Sequence, residues 1–217
     1  MSEKVGLGLS TVSEPTFASY FFGVNARTIE RLRVGEQIWL CGDRAVGKSH
    51  VMHALASEVA NSILFHGQLP QEMSTFDNQL VLFDDIDAMC GDERQEYALF
   101  AAYEAADFTS TRWIVSSRGS PQETTFRYPD VASRMGQFEL LELLPVPESE
   151  RGALLRFWAN DREFEMPQEV TSFLLDRIPR TQASLWETLL QLEQATLLAT
   201  RPLTIPFVRE VLGFDAA

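Results

Sequence analysis

The chain has 217 residues, 45% of them hydrophobic, enough apolar material for one sizeable domain and a smaller one. Its formal net charge is −13 and it has no basic tract, which argues against autonomous DNA binding, because affinity for a phosphate backbone comes mainly from Lys and Arg. Cys41 and Cys90 stand far apart, His50, His53 and His66 have no metal-ligand company, and no stretch is long enough to span a bilayer or serve as a signal-peptide core. A cytoplasmic protein with no membrane partner and no disulfide framework is expected, and neither the cysteines nor the histidines suggest a metal site.

Residues 1–14 read as a flexible start, with Val5, Leu7 and Leu9 alternating with glycines. Gln37-Ile38-Trp39-Leu40-Cys41 is an apolar run that predicts a buried strand. Gly42-Asp43-Arg44-Ala45-Val46-Gly47-Lys48-Ser49 follows and fills the pattern G-x-x-x-x-G-K-[ST] at every fixed position. Backbone N–H groups of such a loop wrap a phosphate chain, Lys48 reaches the β and γ phosphates, and the Ser49 hydroxyl sits on Mg²⁺. Ser49 to Ala60 predicts a helix with Val51, Met52, Leu55 and Val59 on one face, its N-terminus beneath the phosphates and His50 beside them.

Ser62-Ile63-Leu64-Phe65-His66 predicts a second strand. Residues 67–79 form a crossover that is short for a full helix with two turns. Leu80-Val81-Leu82-Phe83-Asp84-Asp85 is a third strand ending in paired acids. With a phosphate loop present, Asp84 is the expected Mg²⁺ holder and Asp85 the carboxylate that orients an attacking water, against the alternative of a pair that only caps a turn; Asp87 is expected in solvent. Asp92 to Ala106 predicts a helix presenting Tyr97, Phe100, Ala101 and Tyr103. Arg112 to Ser116 and Phe138 to Leu144 are the fourth and fifth strands.

Between those two strands lies Tyr128-Pro129-Asp130-Val131-Ala132-Ser133-Arg134-Met135. Phosphate-loop ATPases that work between subunits place an arginine there, aimed at a neighbour's nucleotide; the alternative for Arg134 is a surface ion pair. After Pro145-Val146-Pro147 only helical patterns remain. Leu154, Leu155 and Trp158 share a face, as do Val170, Phe173 and Leu174, and Leu185, Leu189 and Leu192. A last helix starts near Thr204 and Pro206 and carries Val208, Val211 and Leu212. The fold class is therefore α/β: a parallel five-stranded sheet between helices over residues 15–145, then a small all-helical lid over 146–217.

Nearly the whole chain resembles AAA+ ATPases of the bacterial replication-initiator group, the DnaA clade. Thr16-Phe17-Ala18-Ser19-Tyr20-Phe21-Phe22-Gly23-Val24-Asn25 is similar to that group's opening motif T-F-x-x-[FY]-x-x-G-x-N. The phosphate-loop helix (Gly47-Lys48-Ser49-His50 with His53-Ala54) is similar too, as are Asp84-Asp85-Ile86, Gly91-Asp92-Glu93 and Ala98-Leu99-Phe100. Pro129-Asp130 with Ala132-Ser133-Arg134 resembles the arginine-finger box. Phe164-Glu165-Met166-Pro167, Phe173-Leu174-Leu175 and Leu203-Thr204-Ile205-Pro206-Phe207-Val208 resemble the clade's lid, and the last two favour its regulators over the initiator. The initiator would continue into a helix-turn-helix domain, and the sequence given ends after the lid.

The resemblance implies an adenine nucleotide, ADP or ATP, with Mg²⁺. It places Phe21, Phe22 and Asn25 nearest the base, although a strap packing the N-terminus on the core explains the same residues. It implies docking of Val5, Leu7 and Leu9 on the DNA polymerase sliding clamp, Arg134 acting in trans on ATP bound by the initiator DnaA, and a homo-oligomer. It therefore implies a negative regulator that stimulates the initiator's ATPase and prevents re-initiation.

Three departures from the family pattern matter. Lys4 stands where the clamp-binding peptide has glutamine. The polar sensor after the fourth strand falls at Ser116 or Ser117, without the family's acid. The lid arginine that reads the γ-phosphate falls at Ala183, with Arg180 one helical turn earlier as its candidate replacement and Arg177 a weaker one. These losses argue for weak intrinsic hydrolysis and retained nucleotide binding. A stand-alone ATPase or loader, an adaptor stabilised by nucleotide, and a small-molecule kinase are the remaining alternatives.

Overall fold

Alternation along three central strands builds two apolar layers, one on each side of a sheet. In the computed structural model, which describes residues 14–69, 80–106, 111–179 and 181–214, the strands are β1 (Gln37–Cys41), β2 (Ser62–His66), β3 (Leu80–Asp84), β4 (Arg112–Ser116) and β5 (Glu139–Glu142). All pair in parallel, in the order β2-β3-β4-β1-β5. Ile38, Leu40, Leu80, Leu82 and Ile114 face one layer with α1 (Ala26–Val34) and α2 (Lys48–Glu58). Trp39, Cys41, Val81, Phe83, Trp113 and Val115 face the other with α3 (Glu93–Ala105) and α4 (Pro129–Met135). A strand covered on both faces has no polar side, so it reads as a continuous apolar run.

β1 pairs with β4 and β5 but not with β2. The phosphate loop therefore leaves the C-terminal end of a central strand where the strand order changes direction, the place where open α/β sheets bind ligands. Beyond β5 the chain forms α5 (Arg151–Asp161), α6 (Gln168–Leu175), α7 (Gln182–Ala199) and α8 (Ile205–Leu212). These share a separate core that includes Leu155, Val170, Leu174, Leu189 and Val208. Thr181 caps α7 by accepting from the Ser184 N–H, and Thr204 caps α8, which has Pro206 in its first turn.

Several local expectations shift. β3 ends at Asp84, and Asp85 lies outside the strand in left-handed backbone (φ 57°). β5 is shorter than the expected run from Phe138 to Leu144. α2 stops at Glu58, with Val59 as its extended C-cap. The buried face of α3 is Glu96, Leu99, Ala102 and Tyr103, while Tyr97 and Ala101 point outward and Phe100 is half-buried. A buried acid rotated the face away from the apolar pattern. The helices α1 and α4 were not anticipated. Each buries only two residues, Ile29 with Leu32 and Val131 with Met135, too few for a period of 3.6 to stand out. The crossover expected over 67–79 lies largely outside the described residues.

Asn25 ties the opening segment to the end of the sheet. Its Nδ2 donates to the Leu144 carbonyl at 2.9 Å, and its Oδ1 accepts from the Leu144 N–H at 2.8 Å. The side chain is almost fully buried (2% exposed). Asn25→Ala is expected to cost about 2 kcal/mol at roughly 1 kcal/mol per hydrogen bond, read as a lower urea midpoint at unchanged slope. A midpoint equal to wild type would show that the tie carries no stability.

Candidate nucleotide site

The phosphate loop depends on glycine at two positions. Gly42 has φ 155°, and a Cβ there would meet the Leu143 carbonyl oxygen at 2.6 Å. Gly47 has φ 103°, and a Cβ there would lie 2.8 Å from the Tyr20 ring. Both positions bring backbone closer to its surroundings than a side chain permits. Gly47 caps α2, so the first N–H groups of that helix open toward the loop. Asp43, Arg44 and Ala45 are exposed along the loop, and Val46 is buried beneath it.

Lys48 folds back over this loop. Its Nζ donates to the carbonyls of Gly42 (2.5 Å) and Asp43 (2.9 Å). Burial pushes the Lys48 ammonium below its ordinary value, opposed by the nearby carboxylates Asp87, Asp84 and Asp85. Arg118, just past β4, adds positive potential at the same place. Ser49 is exposed on the first turn of α2.

The acidic pair divides into two environments. Asp84 is buried at the end of β3; its Oδ1 accepts from the Ser116 hydroxyl at 2.5 Å, and its Oδ2 accepts from His66 Nδ1 at 3.0 Å. Asp85 is half-buried, and its N–H donates to Ser116 Oγ at 3.0 Å. The structure thus brings Ser116 and the acidic pair together. Ser117 turns away, donating to the Gly119 carbonyl. Asp87, expected in solvent, is half-buried and accepts from the Arg118 N–H at 2.7 Å, because the turn after β4 packs against the turn after β3.

A cavity of about 230 Å³ opens beside the loop. Tyr20 and Phe21 of the opening segment, Gly47 and His50 of the loop and helix, and Trp158 and Trp186 of the lid line it. The two tryptophan rings meet edge to face at 5.0 Å. His50 Nε2 donates to the Thr16 carbonyl at 2.8 Å and lies 3.3 Å from Ser19 Oγ, which fastens the opening segment to α2. Burial pushes the Tyr20 hydroxyl up to about 12, so it stays a neutral wall. Four aromatic side chains with a few polar groups suit a planar heteroaromatic ring. A second cavity of about 260 Å³ lies across Val46, between Asp43 and Arg44 of the loop and Arg151 and Gln182 of the lid.

Two residues expected beside the base are not there. Phe22 packs against Phe17 and Tyr20 on the α1–α2 side of the sheet, and Asn25 is taken up by Leu144. Only Phe21 of the three reaches the cavity. Arg134 lines neither cavity. It sits in the last turn of α4, its Nε 2.9 Å from Glu104 Oε1 on α3, both side chains about four-tenths exposed. Arg177 lies over the Phe173 ring at 3.9 Å, and Ala183 is exposed in the first turn of α7. Arg180 and the clamp-peptide residues Lys4, Val5, Leu7 and Leu9 lie outside the described residues.

Sequence reasoning missed His66, Trp158, Trp186 and Arg151. The first three sit on apolar or strand-end patterns that look structural, and no motif marks Arg151. Among the described residues no group of three His, Cys, Asp or Glu side chains is arranged to hold a metal by itself, and no helix is long and apolar enough to cross a membrane.

Residues 148–212 match the family model for the Hda lid domain. The whole fold is similar to domain III of the replication initiation protein DnaA from Thermotoga maritima (TM-score 0.75, 15% identity, 91% of this chain and 95% of that one). It is also similar to AMPPCP-bound DnaA from Aquifex aeolicus (TM-score 0.69, 16% identity, 82% of this chain and 65% of that one). The Thermotoga maritima RuvB Holliday junction branch migration motor matches at TM-score 0.60 and 16% identity, over 87% of this chain and 65% of that one. The chain thus spans about two thirds of these longer proteins. At such identities the likeness establishes the fold: an α/β AAA+ core followed by a helical lid.

Proposed function

From an Hda-type lid carried on an AAA+ core, which makes the chain Hda-like, we propose that it is a nucleotide-bound regulator of chromosomal replication initiation. In this reading it stimulates ATP hydrolysis by the initiator DnaA, together with the sliding clamp, and so prevents re-initiation. Residues 1–14 form the clamp-binding segment, 15–145 the nucleotide-binding core and 146–217 the lid. The observation that carries the reading is the lid itself: the region that matches the Hda model supplies Trp158 and Trp186 to the cavity beside the phosphate loop.

Phe21 and the lid tryptophans would hold an adenine ring, and residues 42–50 would hold its phosphates. Lys48 would donate to phosphate oxygens in place of the two carbonyls it holds, with Arg44, Arg151 and Arg118 supplying further positive charge. Ser49 and Asp84 are hard oxygen donors suited to Mg²⁺, which supplies charge neutralisation on the β and γ phosphates. Asp84 already accepts from Ser116 and His66, and the position at the end of β4 where the clade carries its sensor acid holds Ser116 or Ser117 here. Both features favour holding a nucleotide over hydrolysing it, with at most weak intrinsic turnover. The chemistry then belongs to Arg134, on the surface and aimed at the initiator's ATP. Exposed Leu197 and Leu198 at the end of α7 give the lid an apolar spot for self-association.

The test mixes the protein with ATP-loaded DnaA and DNA-loaded clamp and follows ADP formation. The reading predicts faster ADP formation that needs both the protein and the clamp; an unchanged rate would refute it. A glutamine at position 4 completes the clamp peptide. Lys4→Gln is expected to tighten binding to immobilised loaded clamp by about tenfold, one charge-assisted or well-made hydrogen bond's worth. An unchanged affinity would mean that residues 4–9 are not the docking peptide.

A further inference from the structure

The buried face of α3 carries one carboxylate, and among the described residues no cationic side chain pairs with it. Glu96 is fully buried (0% exposed). Its Oε1 accepts from the N–H groups of Gly91 (2.7 Å) and Arg127 (3.0 Å), and its Oε2 from those of Arg127 (2.8 Å) and Tyr128 (2.8 Å). Every donor is backbone. Leaving such a group buried without partners costs several kcal/mol, so the surrounding chain is organised around it. Gly91 belongs to the turn that follows the acidic pair, and Arg127 and Tyr128 immediately precede α4, whose last turn holds Arg134.

We infer that Glu96 is the positioning residue for the Arg134 finger: its carboxylate fixes the backbone entry of α4 against α3 and thereby sets where Arg134 points. The inference rests on the proposed role of Arg134. α4 is only seven residues long and buries only Val131 and Met135, so apolar packing alone fixes its axis weakly. Glu96 pins its start at two consecutive amides, which set both the height and the direction of the first turn. From there to Arg134 the helix is a rigid arm of under two turns. The exposed contacts nearby are of a different kind. Glu93 pairs with the Arg127 side chain at 3.3 Å and accepts from the Tyr128 hydroxyl at 3.1 Å, and Glu104 meets Arg134 itself. Those are solvent-screened side-chain contacts that fix no backbone.

Glu96→Gln keeps the volume but turns an NH₂ group toward backbone N–H donors on one arm. The stimulated rate of ADP formation with DnaA and clamp is expected to fall about tenfold or more, as for a reacting group displaced by a fraction of an ångström to ~1 Å. Nucleotide affinity and binding to DnaA should stay within about twofold. In an Arg134→Ala background Glu96→Gln should add no further loss, because the finger is already gone. Glu93→Gln, which touches only the exposed contacts, should change the rate by less than about twofold. Amide hydrogen exchange over 127–135 should accelerate in Glu96→Gln and not in Glu93→Gln.

Wild-type stimulation by folded Glu96→Gln would overturn the inference. So would parallel losses of nucleotide affinity and partner binding, which mark a general support of the fold. If Glu96→Gln does not fold, Glu96→Asp keeps the charge, draws the acceptor back by one methylene and is judged by the same pattern. If wild-type protein gives no stimulation, the proposed function fails on its own account. Exchange over 127–135 then decides the positioning role separately: acceleration supports it and an unchanged profile refutes it.

Discussion

Arg134→Ala lowers the stimulated hydrolysis of DnaA-bound ATP by roughly 10³-fold or more, the scale of an arginine supplied in trans to a phosphoryl-transfer site. A fold effect cannot mimic this. Arg134 is on the surface, and its pair with Glu104 is about four-tenths exposed on both sides. Such pairs contribute about 0–1 kcal/mol, so the variant should unfold at nearly the wild-type urea concentration and bind nucleotide normally. Arg134→Lys should recover little, because a planar fork that is always charged and can contact two phosphate oxygens is replaced by a point charge on a mobile stem. The readout is ADP formed per DnaA in the presence of loaded clamp. Stimulation equal to wild type would reduce Arg134 to the surface ion pair that its sequence position also allows.

Lys48→Ala has the second large effect, on nucleotide affinity. The ammonium is held at the mouth of the loop by two carbonyls and is partly desolvated. Exchanging those neutral acceptors for phosphate oxygens makes charge-assisted hydrogen bonds of about 1.5–3 kcal/mol each. Losing them should weaken ADP or ATP binding by roughly 10²- to 10⁴-fold, measurable by titration calorimetry. Binding to the folded state alone also raises stability by mass action, so saturating nucleotide should lift the wild-type melting temperature and leave Lys48→Ala unmoved. If nucleotide serves to hold lid against core, stimulation of DnaA should fall with it. Tight binding by Lys48→Ala would dissociate the loop from nucleotide recognition.

The sheet was legible because its three central strands are short apolar runs covered on both faces, and the phosphate loop because its glycines and lysine sit at fixed spacing. Glu96 was not legible. A helix face is read from apolar residues, and here Tyr97 points out while the neighbouring acid points in, hydrogen-bonded by backbone amides far away in sequence. Asn25 failed differently. A motif position that resembles a base contact is occupied by a tie to Leu144, which no local pattern records. Trp158 and Trp186 carry the spacing of ordinary core helices, and only the packing of lid on loop brings them to the cavity. Short helices such as α4 defeat periodicity altogether, so the segment around Arg134 stands out by its residues and not by its element.

The central claim is that this chain acts on another protein's nucleotide and keeps its own. The direct measurement loads DnaA and this protein with ATP carrying distinguishable γ-phosphate labels, adds DNA-loaded clamp and follows both labels in one reaction. The account predicts rapid release of the label carried by DnaA, little release of the label carried by this chain, and loss of the first with Arg134→Ala. Release chiefly from this chain's own nucleotide, abolished by Lys48→Ala and indifferent to DnaA, would contradict it and identify a stand-alone ATPase.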